Sequence, residues 1–137
     1  MSGRGFVDTN IWVYAHLQQA KEKRCALALA FVQQPLQFTV STQVMGEYYH
    51  TMLRNGVKDD VVQSNLRIMI AVCDVRDVTR AVLARAWEVR TRYGFSYWDS
   101  QIVASALEAG CELIFSEDMQ AGQVIDGRLT VVNPVDA

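Results

Sequence analysis

Short apolar runs alternate along this chain with longer stretches whose apolar residues recur at helical spacing. Residues 5–8 read as a short strand, and residues 10–16 open a helix. Residues 20–32 are rich in Ala and Leu with Lys21, Glu22, Lys23 and Arg24 on one side, which predicts a helix. Gln34-Pro35 ends it, because proline cannot continue the hydrogen-bond ladder. Residues 38–41 are strand-like, and Ser41 or Thr42 can then cap a helix that runs to Arg54 and stops at Asn55-Gly56. Residues 59–69 read as helical and 71–75 as a buried strand.

Residues 79–93 place Val82, Leu83, Ala86, Val89 and Arg90 at helical spacing, with Gly94 closing the element. A further helix spans 96–109 with Gly110 at its C-terminal end, and 112–115 and 129–132 are the last strands. Strands alternating with helices imply an α/β fold, an α/β/α sandwich around a central, mostly parallel sheet. No repeat, low-complexity stretch or linker divides residues 1–137, so a single domain is expected.

Composition narrows the class. A hydrophobic fraction of 50% suits a filled core and argues against disorder. No apolar run reaches the ~20 residues needed to cross a bilayer, and Met1-Ser2-Gly3-Arg4 leads straight into a strand, which makes the cytoplasm the expected location. Cys25, Cys73 and Cys111 are odd in number and set among apolar residues, as buried reduced thiols are. The formal charge of -2, from 13 basic and 15 acidic residues, looks wrong for a nucleic-acid binder. Setting aside four acids singled out below leaves 13 basic against 11 acidic residues, a remainder of +2. Charge alone does not exclude a phosphodiester substrate.

Those four acids carry the candidate chemistry. Asp8 follows Gly5-Phe6-Val7, and Asp118 follows Leu113-Ile114-Phe115. Glu47 lies a turn into the helix after Phe38-Thr39-Val40, and Asp99 opens a helix after Gly94-Phe95-Ser96. In an open parallel sheet the strand C-termini and following helix starts line one crevice. Carboxylates crowded there repel one another, and a divalent cation held by carboxylates and water supplies the counter-charge. Each acid also has a plainer explanation. Asp8 and Asn10 could cap a helix, Ser96-Tyr97-Trp98-Asp99 fits a capping box, Glu47 could be a surface glutamate and Asp118 a turn former. All four plainer readings must hold together for the site to vanish. Glu117 reads as solvated surface.

The residues around the acids resemble the PIN-domain family of metal-dependent nucleases. Phe6-Val7-Asp8-Thr9-Asn10 is similar to its opening signature, and Ser41-Thr42-Gln43-Val44-Met45-Gly46-Glu47 to its second. Tyr97-Trp98-Asp99-Ser100-Gln101-Ile102-Val103-Ala104 resembles the third, and Leu113-Ile114-Phe115-Ser116-Glu117-Asp118 the fourth. Size and the lack of appended modules resemble the VapC toxins of bacterial toxin–antitoxin pairs. The fourth motif departs from the family, with Ser116 where threonine is common and Met119-Gln120 in place of a later acidic-aromatic pair.

The resemblance implies a Mg²⁺- or Mn²⁺-dependent endoribonuclease, cutting structured RNA such as tRNA or rRNA. It also implies a homodimer and a cognate antitoxin that reaches toward the acidic pocket. Asp8 and Asp99 would be the main metal ligands, Asp118 a second or water-mediated one, and Glu47 a water-positioning or second-metal residue. Thr9, Asn10 and Ser116 would orient the carboxylates or hold the scissile phosphate.

Competing chemistry finds less support. An aspartyl-phosphate phosphatase would use Asp8 as nucleophile, but no lysine occurs after Lys58 and Asp8-Thr9-Asn10 lacks a second Asp two residues on. A non-catalytic PIN-like module for RNA or protein contacts would be marked by loss of an acid, and none is missing. Glu47-Tyr48-Tyr49-His50 has di-iron spacing, but that site needs the motif twice. Ser100 and Ser105 lack a nearby His–Asp arrangement, and no glycine-rich phosphate loop exists. Among Trp12, Tyr14, Tyr48, Tyr49, Tyr97 and Trp98, the reading favours packing, with Tyr97 and Trp98 as the candidates for stacking on unpaired bases. Lys21, Lys23, Arg24, Arg54, Lys58, Arg85, Arg90 and Arg92 are candidate phosphate contacts.

Overall fold

Three-residue strands with no exposed position begin the chain: β1 (Gly5–Val7) and β2 (Thr39–Ser41) are buried throughout. Between them lie helices α1 (Thr9–Leu17) and α2 (Lys23–Val32). After β2 come α3 (Thr42–Arg54), α4 (Asp59–Val72) and β3 (Asp74–Arg76). The chain then forms α5 (Arg80–Tyr93), α6 (Tyr97–Glu108), β4 (Leu113–Phe115), β5 (Val124–Ile125) and β6 (Leu129–Val132). The computed structural model describes residues 4–136.

The sheet order is β3-β2-β1-β4-β6-β5, parallel except where β5 runs antiparallel to β6. The expected α/β architecture with a mostly parallel sheet is present. From β1 the chain builds outward through β2 to β3, then returns to lay β4 on the other side of β1. Parallel crossovers are right-handed, so this reversal sends the helices of the two halves to opposite faces. The packing agrees: α1 lies on α2 and α3, and α3 on α4, while α5 and α6 form a separate pair. The strand order reverses between β1 and β4, and a parallel sheet opens its crevice at that point.

Local chemistry explains the element ends. Ser41, Thr79 and Ser96 cap α3, α5 and α6 by accepting from the amides of Val44, Val82 and Asp99. Gly94 closes α5 at φ 76°, a left-handed conformation that glycine adopts without a Cβ clash. Helix α6 is buried continuously from Ser100 to Leu107, pressed between α5 and the sheet. Cys25, Cys73 and Cys111 are buried free thiols, as expected. Among the described residues no helix is long and apolar enough to cross a membrane.

Two readings are corrected. Residues 71–75 do not form a buried strand: α4 continues to Val72, and β3 is a half-buried edge strand from Asp74 to Arg76. Met69-Ile70-Ala71-Val72 is a continuous apolar run, which periodicity cannot assign to helix or strand. Here Met69 is buried in the core while Ile70 and Val72 are exposed, as one face of a helix requires. Strand β5 was not foreseen. It is two residues long and exists through its pairing with β6. Residues 20–22, expected in the second helix, precede its first turn at Lys23, and Glu22 serves as the cap.

Candidate metal centre

Asp8 stands where β1 ends and α1 begins. Its amide donates to the Phe115 carbonyl at 2.9 Å, continuing the β1–β4 ladder by one rung. Its side chain caps α1, with one carboxylate oxygen accepting from Thr9 N at 2.7 Å. The other oxygen accepts from Ser116 Oγ at 2.7 Å, and Ser116 directly follows β4. Asp8 and Ser116 are both buried. The capping reading of Asp8 is therefore correct, and it accounts for only one of its two oxygens.

The Ser116 hydroxyl also accepts from Asp118 N at 3.2 Å, so one hydroxyl joins two of the acids. Thr9 Oγ1 donates to Glu47 at 2.6 Å and ties α1 to α3. Gln43 donates to the second Glu47 oxygen at 3.0 Å and to the Trp98 carbonyl at 3.1 Å. Gln101 donates to Gln43 Oε1 at 2.8 Å, and Tyr97 donates to Gln101 at 2.9 Å. This chain of polar groups runs from α6 through α3 to α1 and holds the helix starts that carry Asp99, Glu47 and Asp8. Gln43 and Gln101 were missed in the sequence, where nothing but their positions near Glu47 and Asp99 sets them apart.

Burial pushes the Asp8 carboxyl up to about 7, against hydrogen bonds from Ser116 and Thr9 that favour its charged form. The charges of Asp118 and Asp99 push it further in the same direction. Asp99 is likewise raised, first by burial and then by Asp118 and Glu47, with a hydrogen bond to Ser96 opposing. Asp8 and Asp99 thus both lie in the field of neighbouring acids, Asp118 acting on each of them. Yet among the described residues no three acidic, histidine or cysteine side chains converge into a ready chelate. Such a sparse, hard, all-oxygen donor set suits Mg²⁺, which takes one or two carboxylates and keeps several waters. Asn10 Nδ2 is buried without a partner, one further donor left over in the site.

Asp118 and Glu47 border a cavity of about 570 Å³ together with Thr9, Asn10, Tyr14 and His50. His50 is an exposed residue at this opening. The reading of Glu117 as solvated surface is corrected. Its carboxylate accepts from Tyr14 Oη at 2.6 Å and pairs with Arg24 at 2.8 Å, both contacts from elements far away in sequence. Burial and the Glu117 contact push the Tyr14 hydroxyl up to about 12. Ser100 and Ser105 lie buried inside α6 with unpartnered hydroxyls, out of reach of substrate. Of the aromatics, Trp12 and Tyr48 are core, whereas Trp98 is exposed beside Asp99. Arg24, Arg85 and Arg92 are engaged in ion pairs, and Arg90 donates to the Phe95 carbonyl.

A family model described as PIN domain matches residues 5–124. No curated protein matches the chain. Among solved structures, one similar chain is VapC20 of Mycobacterium tuberculosis, described as a sarcin–ricin loop cleaving toxin. It is 25% identical with a TM-score of 0.67, over 83% of this chain and 91% of that one. A toxin–antitoxin complex from Klebsiella pneumoniae is 18% identical with a TM-score of 0.70, over 95% and 97% of the two chains. VapBC2 from Rickettsia felis, bound to a DNA fragment from its promoter, is 18% identical with a TM-score of 0.67, over 94% and 97%. The last two speak for the fold alone.

Proposed function

The chain belongs to the PIN-domain family, and from that membership we propose that it is a metal-dependent endoribonuclease, the toxin of a toxin–antitoxin pair. The observation that carries the reading is Asp8, a buried carboxylate at the sheet's switch point, raised to about 7 by burial and by the charges of Asp118 and Asp99. A cation would hold that carboxylate ionised, and so would give the cluster its purpose.

In this reading Asp8 and Asp99 are the principal ligands, Asp118 a second or water-mediated one, and Glu47 holds a water or a second ion. Mg²⁺ or Mn²⁺ bound there would supply a Lewis acid and a water acidified for attack on phosphorus. The chain's own part is orientation. Ser116 holds the second oxygen of Asp8 and the amide of Asp118 with one hydroxyl. Thr9 and Gln43 fix both oxygens of Glu47. Asn10 Oδ1 accepts from Glu117 N at 3.4 Å, which holds the turn after β4 against α1.

Residues 1–137 form one nuclease unit in this proposal. Its substrate is structured RNA, tRNA or rRNA, cut to leave a 3′-hydroxyl and a 5′-phosphate. A relative described as cleaving the sarcin–ricin loop favours rRNA, and relatives solved as toxin–antitoxin complexes favour an antitoxin partner. A homodimer and a cytoplasmic setting complete the reading. The test is end-mapping of total cellular RNA after incubation with the protein in Mg²⁺, with EDTA and Asp99→Asn as controls. Discrete cuts that vanish in both controls are expected. Cuts that survive Asp99→Asn would refute its role, and no cuts together with no Mn²⁺ uptake in calorimetry would leave a non-catalytic module.

A further inference from the structure

Beside the acids, on the same cavity as Asp118 and Glu47, Tyr14 and Glu22 belong to a second polar assembly centred on Arg24 and Glu117. Glu117 is held on both oxygens: one accepts from Tyr14 Oη on α1, the other from Arg24 Nη1 on α2. Arg24 is itself oriented on its remaining edges. Its Nε and Nη2 donate to the two oxygens of Glu22 at 2.8 and 2.6 Å, and its guanidinium lies 4.8 Å from the centre of the Tyr14 ring. This uses the planar fork of arginine at three positions, which a lysine ammonium cannot reproduce. The Glu117 amide donates to Asn10 Oδ1, so backbone and side chain of one residue are both anchored to the helices.

We propose that Arg24 and Tyr14 are positioning residues for the metal site, acting through Glu117 to set the turn that presents Asp118 and the Ser116 hydroxyl. The latch has two effects. It fixes the segment between β4 and Asp118 against α1 and α2, so that Ser116 reaches both Asp8 and the Asp118 amide. It also occupies the Glu117 carboxylate, which keeps a neighbouring acid from competing with Asp118 for the ion. Partners bonded directly to ligands cost roughly 10- to 100-fold in metal affinity when removed, and Arg24 and Tyr14, acting one step further out through Glu117, belong at the low end of that range.

This inference rests on the metal-site reading above, and the sign of one measurement separates it from simple charge. Removing Arg24 deletes a positive charge near a cation site, which by relief of Coulomb repulsion alone would tighten cation binding. Positioning predicts the reverse. Mn²⁺ calorimetry on the wild type, Arg24→Met and Tyr14→Phe should show affinity reduced about tenfold in the first variant and severalfold in the second. Tyr14→Phe changes no charge at neutral pH and removes one hydroxyl from the surface of a helix, so it serves even if Arg24→Met folds poorly. Melting in EDTA, expected to change little in either variant, checks the fold. Unchanged or tighter Mn²⁺ binding in both variants, with wild-type uptake normal, would overturn the latch and leave the metal site standing. No Mn²⁺ uptake by the wild type would remove the metal site and the latch together.

Discussion

Asp8 shows how one residue can serve fold and chemistry at opposing cost. As a cap it satisfies Thr9 N, yet burial holds its carboxyl at about 7 instead of the ordinary 3.8. In the metal-free protein the native state therefore keeps a proton that the unfolded chain releases near 3.8. Between those values the native state binds more protons, so its stability falls as pH rises from about 4 to beyond 7. Melting of the wild type in EDTA should drop across that window, and Asp8→Asn should flatten the drop. An equal pH profile in the variant would mean that Asp8 is not the group responsible. Asp8, Asp99 and Asp118 stand out in the sequence because they follow an apolar run or open a helix, and Glu47 because it lies a turn beyond a strand end. Glu117 does not, because its partners Tyr14 and Arg24 lie on helices some hundred positions earlier in the chain.

The elements carry their own tests. Gly5 lies in β1 opposite Leu113, and a Cβ placed there would come within 2.5 Å of the Phe115 ring. That ring is packed in turn against Phe31, with centroids 4.6 Å apart. Gly5→Ala should destabilise by about 1–3 kcal/mol, the usual cost of overpacking, measured as a lowered midpoint in urea. An unchanged midpoint would mean that Phe115 yields freely. Most element types followed from periodicity and caps. The boundary near Val72 did not, since an unbroken apolar run carries no phase. Strand β5 was unreadable for a related reason: two residues make a strand only where β6 offers its edge.

At the scale of the molecule, the sheet's reversal between β1 and β4 brings Asp8 to Ser116 across 108 positions of sequence. A ligand that binds only the native site stabilises it by mass action. Millimolar Mn²⁺ should therefore raise the wild-type Tm, and Asp99→Asn should reduce the rise. No rise in the wild type would count against the metal site as a whole.

By itself the sequence determined the α/β class and several helix ends, such as Ser41, Ser96 and Gly94, because these depend on patterns local to a few turns of chain. Only the tertiary structure decided which oxygens of Asp8 and Glu47 are held, that Gln43 and Gln101 join the helix starts, and that Glu117 pairs with Arg24. Those facts depend on distances between segments remote in sequence, which strand order and burial set and no local pattern encodes.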